Sequence, residues 1–272
     1  MRYFVLLMLS TAVSVGLFDA SCNNPAAVPA DQKQAGAGLS KYALPPNADT
    51  ISVGFRDQHG YSSNGMYCVA AIVDSKALTW QRIWVRVQLL DEAGKALAIN
   101  GDTSGAVVRT MADAVPPLGA TSMFFSAPLT QISGTPAGCR LSGAGGLEQS
   151  PGPILICYET GGVRISYPDT LNPKKNIETV FQASGTVENP LDIMAPHFNL
   201  VVLIYGKDEK LYFVQAVDPE DQGTALLMER SGPLIAKEKR KITLPVYYQQ
   251  LPEVLRQLLI SKVLFQVYEV RN

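Results

Sequence analysis

The stretch AIVDSKALTWQRIWVRVQLLDEAGKAL, Ala71 to Leu97, lines up without a gap on TVENPLDIMAPHFNLVVLIYGKDEKLY, Thr186 to Tyr212. Ile72 falls on Val187, Asp74 on Asn189, Ile83 on Phe198 and Leu89 on Ile204, each 115 residues apart (187 − 72). Few residues are identical, but the order of apolar strand, polar turn, long strand and polar hairpin is the same. Further on, Pro116 to Leu129 matches Gly232 to Val246, a Pro-Leu turn followed by a strand, and Ile154 to Glu159 matches Leu264 to Val270. Such self-similarity at a fixed spacing means one unit built twice. The copies are expected over 48–160 and 161–272.

A unit of about 110 residues with some seven short strands between turn residues suits an immunoglobulin-like β-sandwich. The expected fold is therefore all-β, with two tandem sandwiches and one short helix near the C-terminus. Alternation sets the faces: Val85, Val87 and Leu89 point one way, and Trp84, Arg86 and Gln88 the other. In the second copy Leu200, Val202 and Ile204 are the inward set. The opposite face there is also apolar, since Val201, Leu203 and Tyr205 stand where a polar face is expected. The helix is expected in LPEVLRQLLIS, where Leu251, Val254, Leu255, Leu258 and Leu259 share a face and Pro252 suits the first turn. It can cover its own sheet, or Val201, Leu203, Tyr205 and Leu255 can form a docking surface for a partner.

The amino terminus supplies an address. Residues 1–21 read as an export signal, with Arg2 ahead of the apolar run Phe4 to Val15, which is too short to span a bilayer. Ala20-Ser21-Cys22 resembles the end of a bacterial lipobox, with Asp19 in place of the usual aliphatic residue at the motif's first position. That resemblance makes Cys22 the lipidated first residue of the mature chain; a soluble secreted or periplasmic protein is the alternative. Residues 22–47 are poor in aromatic and β-branched residues and read as a flexible tether. The expected place is a bacterial cell envelope, outer membrane or cell surface, through a lipid anchor.

A net charge of −1 with scattered basic residues argues against nucleic acid. The short run Lys237, Lys239, Arg240 and Lys241 reads as a solvated strand edge.

GTVENPLDIMAPHFNLVVLIYGKDEKL resembles the FxLYD-type domain, a small immunoglobulin-like module of bacterial surface and secreted proteins. Gly185, Val187 and Asn189 match its opening strand and turn, and Tyr205 its tyrosine, with Gly206 where aspartate stands in the pattern. The first copy keeps Asp91 but has Leu90 for the tyrosine. The resemblance implies fold and no shared catalytic site.

Chemistry is sparse. His59 and His197 lie at non-equivalent places, and no clustered ligand spacing suggests a metal. No nucleophile elbow is present, and Cys68 within MYCVAAIV reads as a buried thiol. No cofactor and no catalytic residue is expected. Cys139 and Cys157 are expected to pair as a disulfide across a Gly-rich loop, RLSGAGGLEQSPGP, with Cys68 as a competing partner. Tyr61, Trp80 and Trp84 could form an aromatic platform for glycan. The expected function is a non-catalytic envelope lipoprotein that engages a protein partner; surface glycan binding is the alternative.

Overall fold

The computed structural model describes residues 49–112, 114–147, 156–159, 164–165, 179–195, 198–217, 227–228, 232–247, 253–258 and 260–269. The expected signal, the tether with Cys22, and His197 lie outside the described residues.

The described chain is two tandem β-sandwiches. In the first, one sheet has the order β1-β7-β4-β5, made of Asp49–Thr50, Gly138–Leu147, Gln81–Leu90 and Ala106–Arg109. The other has the order β2-β3-β6, made of Val53–Ser63, Met66–Ser75 and Ala120–Pro128. Val85, Val87 and Leu89 are fully buried between them against Val69, Ala71 and Val73, as the alternation requires.

In the second sandwich one sheet runs β13-β14-β10-β8, made of Leu227–Met228, Lys239–Tyr247, Thr179–Glu188 and Ile156–Glu159, with β9 (Arg164–Ile165) also on β10. The other runs β12-β11-β15, made of Leu211–Val217, Phe198–Gly206 and Ile260–Glu269. Leu200, Val202 and Ile204 line its core. The helix α1 is short, Glu253–Leu258, and buries Leu255 in that core.

The repeat is visible in the pairing. β3 lies between β2 and β6 as β10 lies between β8 and β14, and β4 lies between β5 and β7 as β11 lies between β12 and β15. The polar hairpins bond alike: Asp91 N to Lys95 O at 3.0 Å in one, Gly206 N to Lys210 O at 3.0 Å in the other. Their left-handed residue falls at one position of the repeat, Gly94 with φ 77° and Glu209 with φ 62°. The turns before β6 and β14 agree as well, through Leu118 with φ 54° and Lys237 with φ 60°, although the Pro-Leu pairs themselves are out of register, Leu118 matching Lys237 and not Leu234.

Two expectations are corrected. Ile154 to Glu159 does not close the first copy: β8 pairs with β10, Cys157 opposite Val187, so the boundary falls before Ile156 and the counterpart of β15 is β7. Nor is the Gly-rich stretch a loop as far as Leu147, because Gly138–Leu147 is the ten-residue strand β7. Its glycines make room for the side chains of a crossing segment. A Cβ on Gly143 would meet Val53 Cγ2 at 2.5 Å, and one on Gly145 would meet Ile51 Cδ1 at 2.6 Å. Residues 51 to 53 thus lie over a strand stripped of side chains as the chain crosses from one sheet to the other.

Candidate interaction site

The expected docking strip is already occupied. Val201, Leu203 and Tyr205 are buried in one cluster with Leu211 and Val214 of their own sheet and Ala70 and Ile72 of β3. Ala120 and Phe124 of β6 pack against the same cluster. The strip is covered by the first sandwich, not by α1, and Leu255 faces the second core; these four residues are not a free docking surface. The same packing explains why MYCVAAIV is apolar throughout, since β3 buries odd-numbered residues in its own core and Cys68, Ala70 and Ile72 in the seam.

A β-bulge arms this seam with polar groups. Arg56 pairs with Ile72 but His59 with Ala70, so Asp57 and Gln58 stand against one residue. Asp57 adopts φ 51°, a conformation that aspartate tolerates better than most side chains. The extra residue switches the parity of β2: Val53 and Phe55 pack toward the first core, whereas His59 and Tyr61 face the second sandwich. The Tyr205 hydroxyl donates to Asp57 Oδ2 at 2.8 Å. His59 Nδ1 donates to the Leu211 carbonyl at 3.2 Å, and the Tyr61 hydroxyl to the Tyr212 carbonyl. Tyr212 in turn donates to Asp208 Oδ2 at 2.9 Å.

Burial dominates the electrostatics. It lowers the His59 pKa and lifts the Tyr61 phenol far above its ordinary range. It also pushes the Cys68 thiol up to about 11. A thiol held that high stays protonated at neutral pH and is a poor nucleophile.

Cys139 carries a free thiol, as does Cys68, so the expected Cys139–Cys157 disulfide is not formed. The reason is topological: Cys139 sits on β7 opposite Leu89, and Cys157 belongs to β8 in the other sandwich. The aromatic platform is corrected too. Tyr61 is in the seam and Trp84 is buried, leaving only Trp80 partly exposed. Among the described residues no helix is long and apolar enough to cross a membrane, and no group of His, Cys, Asp and Glu could hold a metal ion.

Exposed apolar surface occurs instead at the loops of the second sandwich. Ile193, Met194 and Ile235 are 58%, 53% and 50% exposed. They stand on two loops, between β10 and β11 and before β14, which are fastened by two buried polar side chains. Asn189 Nδ2 donates to the carbonyls of Ile193 at 2.7 Å, Ile235 at 3.1 Å and Leu234 at 3.3 Å. Arg240 donates to the Gly232 carbonyl at 2.6 Å and the Pro233 carbonyl at 2.7 Å, and pairs with Glu238 at 2.9 Å. Arg240 is therefore not part of a solvated edge; Lys239 and Lys241, to either side, are exposed. The backbones of Ala195 and Leu234 bond reciprocally at 2.9 and 3.0 Å. This site was missed in the sequence because its signal is an asparagine and an arginine whose roles appear only once both loops are folded.

No family model matches the chain, and no curated protein matches it. Among solved structures, the crystal structure of red sea bream transglutaminase aligns with 73% of this chain at 10% identity and a TM-score of 0.19. The chain spans 27% of the length of that protein. A similarity of this size carries no argument about activity.

Proposed function

We propose that this protein is a non-catalytic, lipid-anchored accessory protein of a bacterial envelope that presents a protein-binding surface on its second sandwich. The carrying observation is the braced loop pair, where a buried asparagine and a buried arginine hold Ile193, Met194 and Ile235 in solvent. Exposed apolar groups on a pre-organised support are the usual form of a binding surface. The high Cys68 pKa and the engagement of His59 and Tyr61 in the seam favour a structural role for the polar groups. The matching hairpins at Asp91 to Lys95 and Gly206 to Lys210 support descent of both copies from one module.

The test is a photo-crosslinking residue at position 194 in living cells. One protein adduct at that position, absent when Ile193 and Ile235 are both serine in a protein of unchanged melting temperature, is the expected result. No adduct from 194, or one indifferent to the serine pair, would remove the loop pair as the docking site.

A further inference from the structure

The exposed apolar residues of the first sandwich gather at one end. Leu78, Leu118 and Leu147 are 79%, 68% and 73% exposed, and they are the only large hydrophobic residues this exposed among the described residues of that sandwich. Leu147 pairs with Gln81 at the start of β4, and Gln81 also bridges to Val115. Leu78 lies three residues before Gln81, and Leu118 donates its N–H to the Ala77 carbonyl at 3.0 Å. Leu118 holds a left-handed conformation at φ 54°, so the turn itself lifts a leucine into water. Lys76 is the only charged residue within 76–80 and 114–119, and the acidic Asp113 and Glu148 adjoin 114–119 and Leu147 in sequence.

The chain joins the fold at this same end. Asp49 and Thr50 pair with Gly145 and Ala144 of β7, the residues that Ile83 and Trp84 of β4 face from the other side. Both β1 and β4 run antiparallel to β7, so β1 runs in the direction of β4, away from the leucines. Whatever precedes Asp49 therefore arrives from the leucine end. The segment from Cys22 to Asp49 spans at most on the order of 90 Å, and the end of the body that it joins is the end an acyl chain on Cys22 holds within reach of the bilayer.

We infer that Leu78, Leu118 and Leu147 form a second contact with the phospholipid surface that holds the Cys22 anchor. This rests on the lipoprotein reading above. Two or more acyl chains on a lipobox cysteine anchor the chain by themselves, so the apolar contact orients the body on the bilayer rather than securing it. The second sandwich, whose exposed large hydrophobic residues among those described stand on the braced loops, is left to face a partner.

The chain contains two tryptophans, and one of them, Trp80, is in the leucine loop while Trp84 is buried, so the protein carries its own probe. The full-length protein, expressed in bacteria and purified from membranes, is reconstituted into phosphatidylethanolamine and phosphatidylglycerol vesicles with and without brominated acyl chains. The mass of the N-terminal peptide reports whether Cys22 is acylated. The expected result is loss of tryptophan emission in brominated vesicles, absent from a Trp80→Phe variant and from a Leu78→Ser, Leu118→Ser, Leu147→Ser variant of unchanged melting temperature. An acylated protein whose emission ignores bromine overturns the inference and leaves the anchor standing. If Cys22 carries no lipid the anchor reading falls, and mixing the soluble chain with the same vesicles still decides the leucine contact by the same quenching. Quenching abolished by Ile193→Ser with Ile235→Ser instead would place the lipid at the second sandwich and overturn the assignment.

Discussion

The two copies fold alike and finish their loop ends differently. At the position of Ser75, whose hydroxyl accepts only from Ala77 N at 3.3 Å, the second copy has the fully buried Asn189, which accepts from Leu191 N in the same way and reaches three carbonyls besides. At the position of Thr121, whose hydroxyl accepts from Ala112 N at 3.1 Å, it has the buried Arg240. The first copy leaves its loop end to backbone bonds such as Gly119 N to Pro116 O at 2.9 Å and Ser75 N to Gly119 O at 2.8 Å. Backbone bonds suffice to close a turn. Buried polar side chains that reach several carbonyls fix two loops relative to one another, which fits a surface selected for shape in one copy and for apolarity alone in the other.

The comparison can be broken hardest where the copies meet. Leu203→Asp places an unpaired charge in the seam and should cost about 4 kcal/mol, with one thermal transition splitting into two in calorimetry. A single transition at an unchanged temperature would show that the sandwiches do not support each other. Asn189→Ala should cost about 2 kcal/mol by leaving carbonyls unpaired, whereas Ser75→Ala at the equivalent position should cost under about 1 kcal/mol. Equal losses in denaturant unfolding would erase the distinction between the braced and the unbraced end.

Within β7, Gly145→Val should cost about 1–3 kcal/mol because Ile51 and the Arg82 carbonyl at 2.7 Å must move. Gly146→Ala, which meets nothing within 4 Å, should be neutral in the same unfolding experiment. The paired hairpins give a smaller and opposite pair of effects. Gly94→Ala should lose about 1 kcal/mol at its left-handed position, and Glu209→Gly should gain several tenths.

The last effect is pH-dependent. Burial lowers the His59 pKa, so below the ordinary value of about 6.5 the unfolded chain binds a proton that the folded chain resists. Stability contributed by this site is intact above that pH and is lost as pH falls through it toward the folded pKa. His59→Gln should flatten the melting temperature between pH 7 and 5. A slope unchanged by the substitution would assign the pH response to other groups.

What was legible in the sequence follows from periodicity. Val85, Val87, Leu89, Leu200, Val202 and Ile204 lie in cores because a strand's side chains alternate, and a strand's faces can be counted along one segment. The repeat was legible for the same reason, through a spacing of 115 residues that carries β4 onto β11, but between β3 and β10 it is one residue out: Val73, not Ile72, is the core counterpart of Val187. The Gly-rich strand was misread because glycine has two uses, the turn and the close approach of a crossing segment, and only the position of the Ile51 and Val53 side chains tells them apart.

The sequence by itself determined an all-β chain of two related sandwiches with an apolar outer face on the second. Only the tertiary structure decided what covers that face: the outer side of β3 and β6, which reads in the sequence as ordinary core. It also decided that Asn189 and Arg240 turn inward while Leu78, Leu118 and Leu147 turn out. A residue's own chemistry limits the neighbours it can tolerate, but which neighbours it meets is set by other segments of the chain, more than a hundred residues away for the covered face.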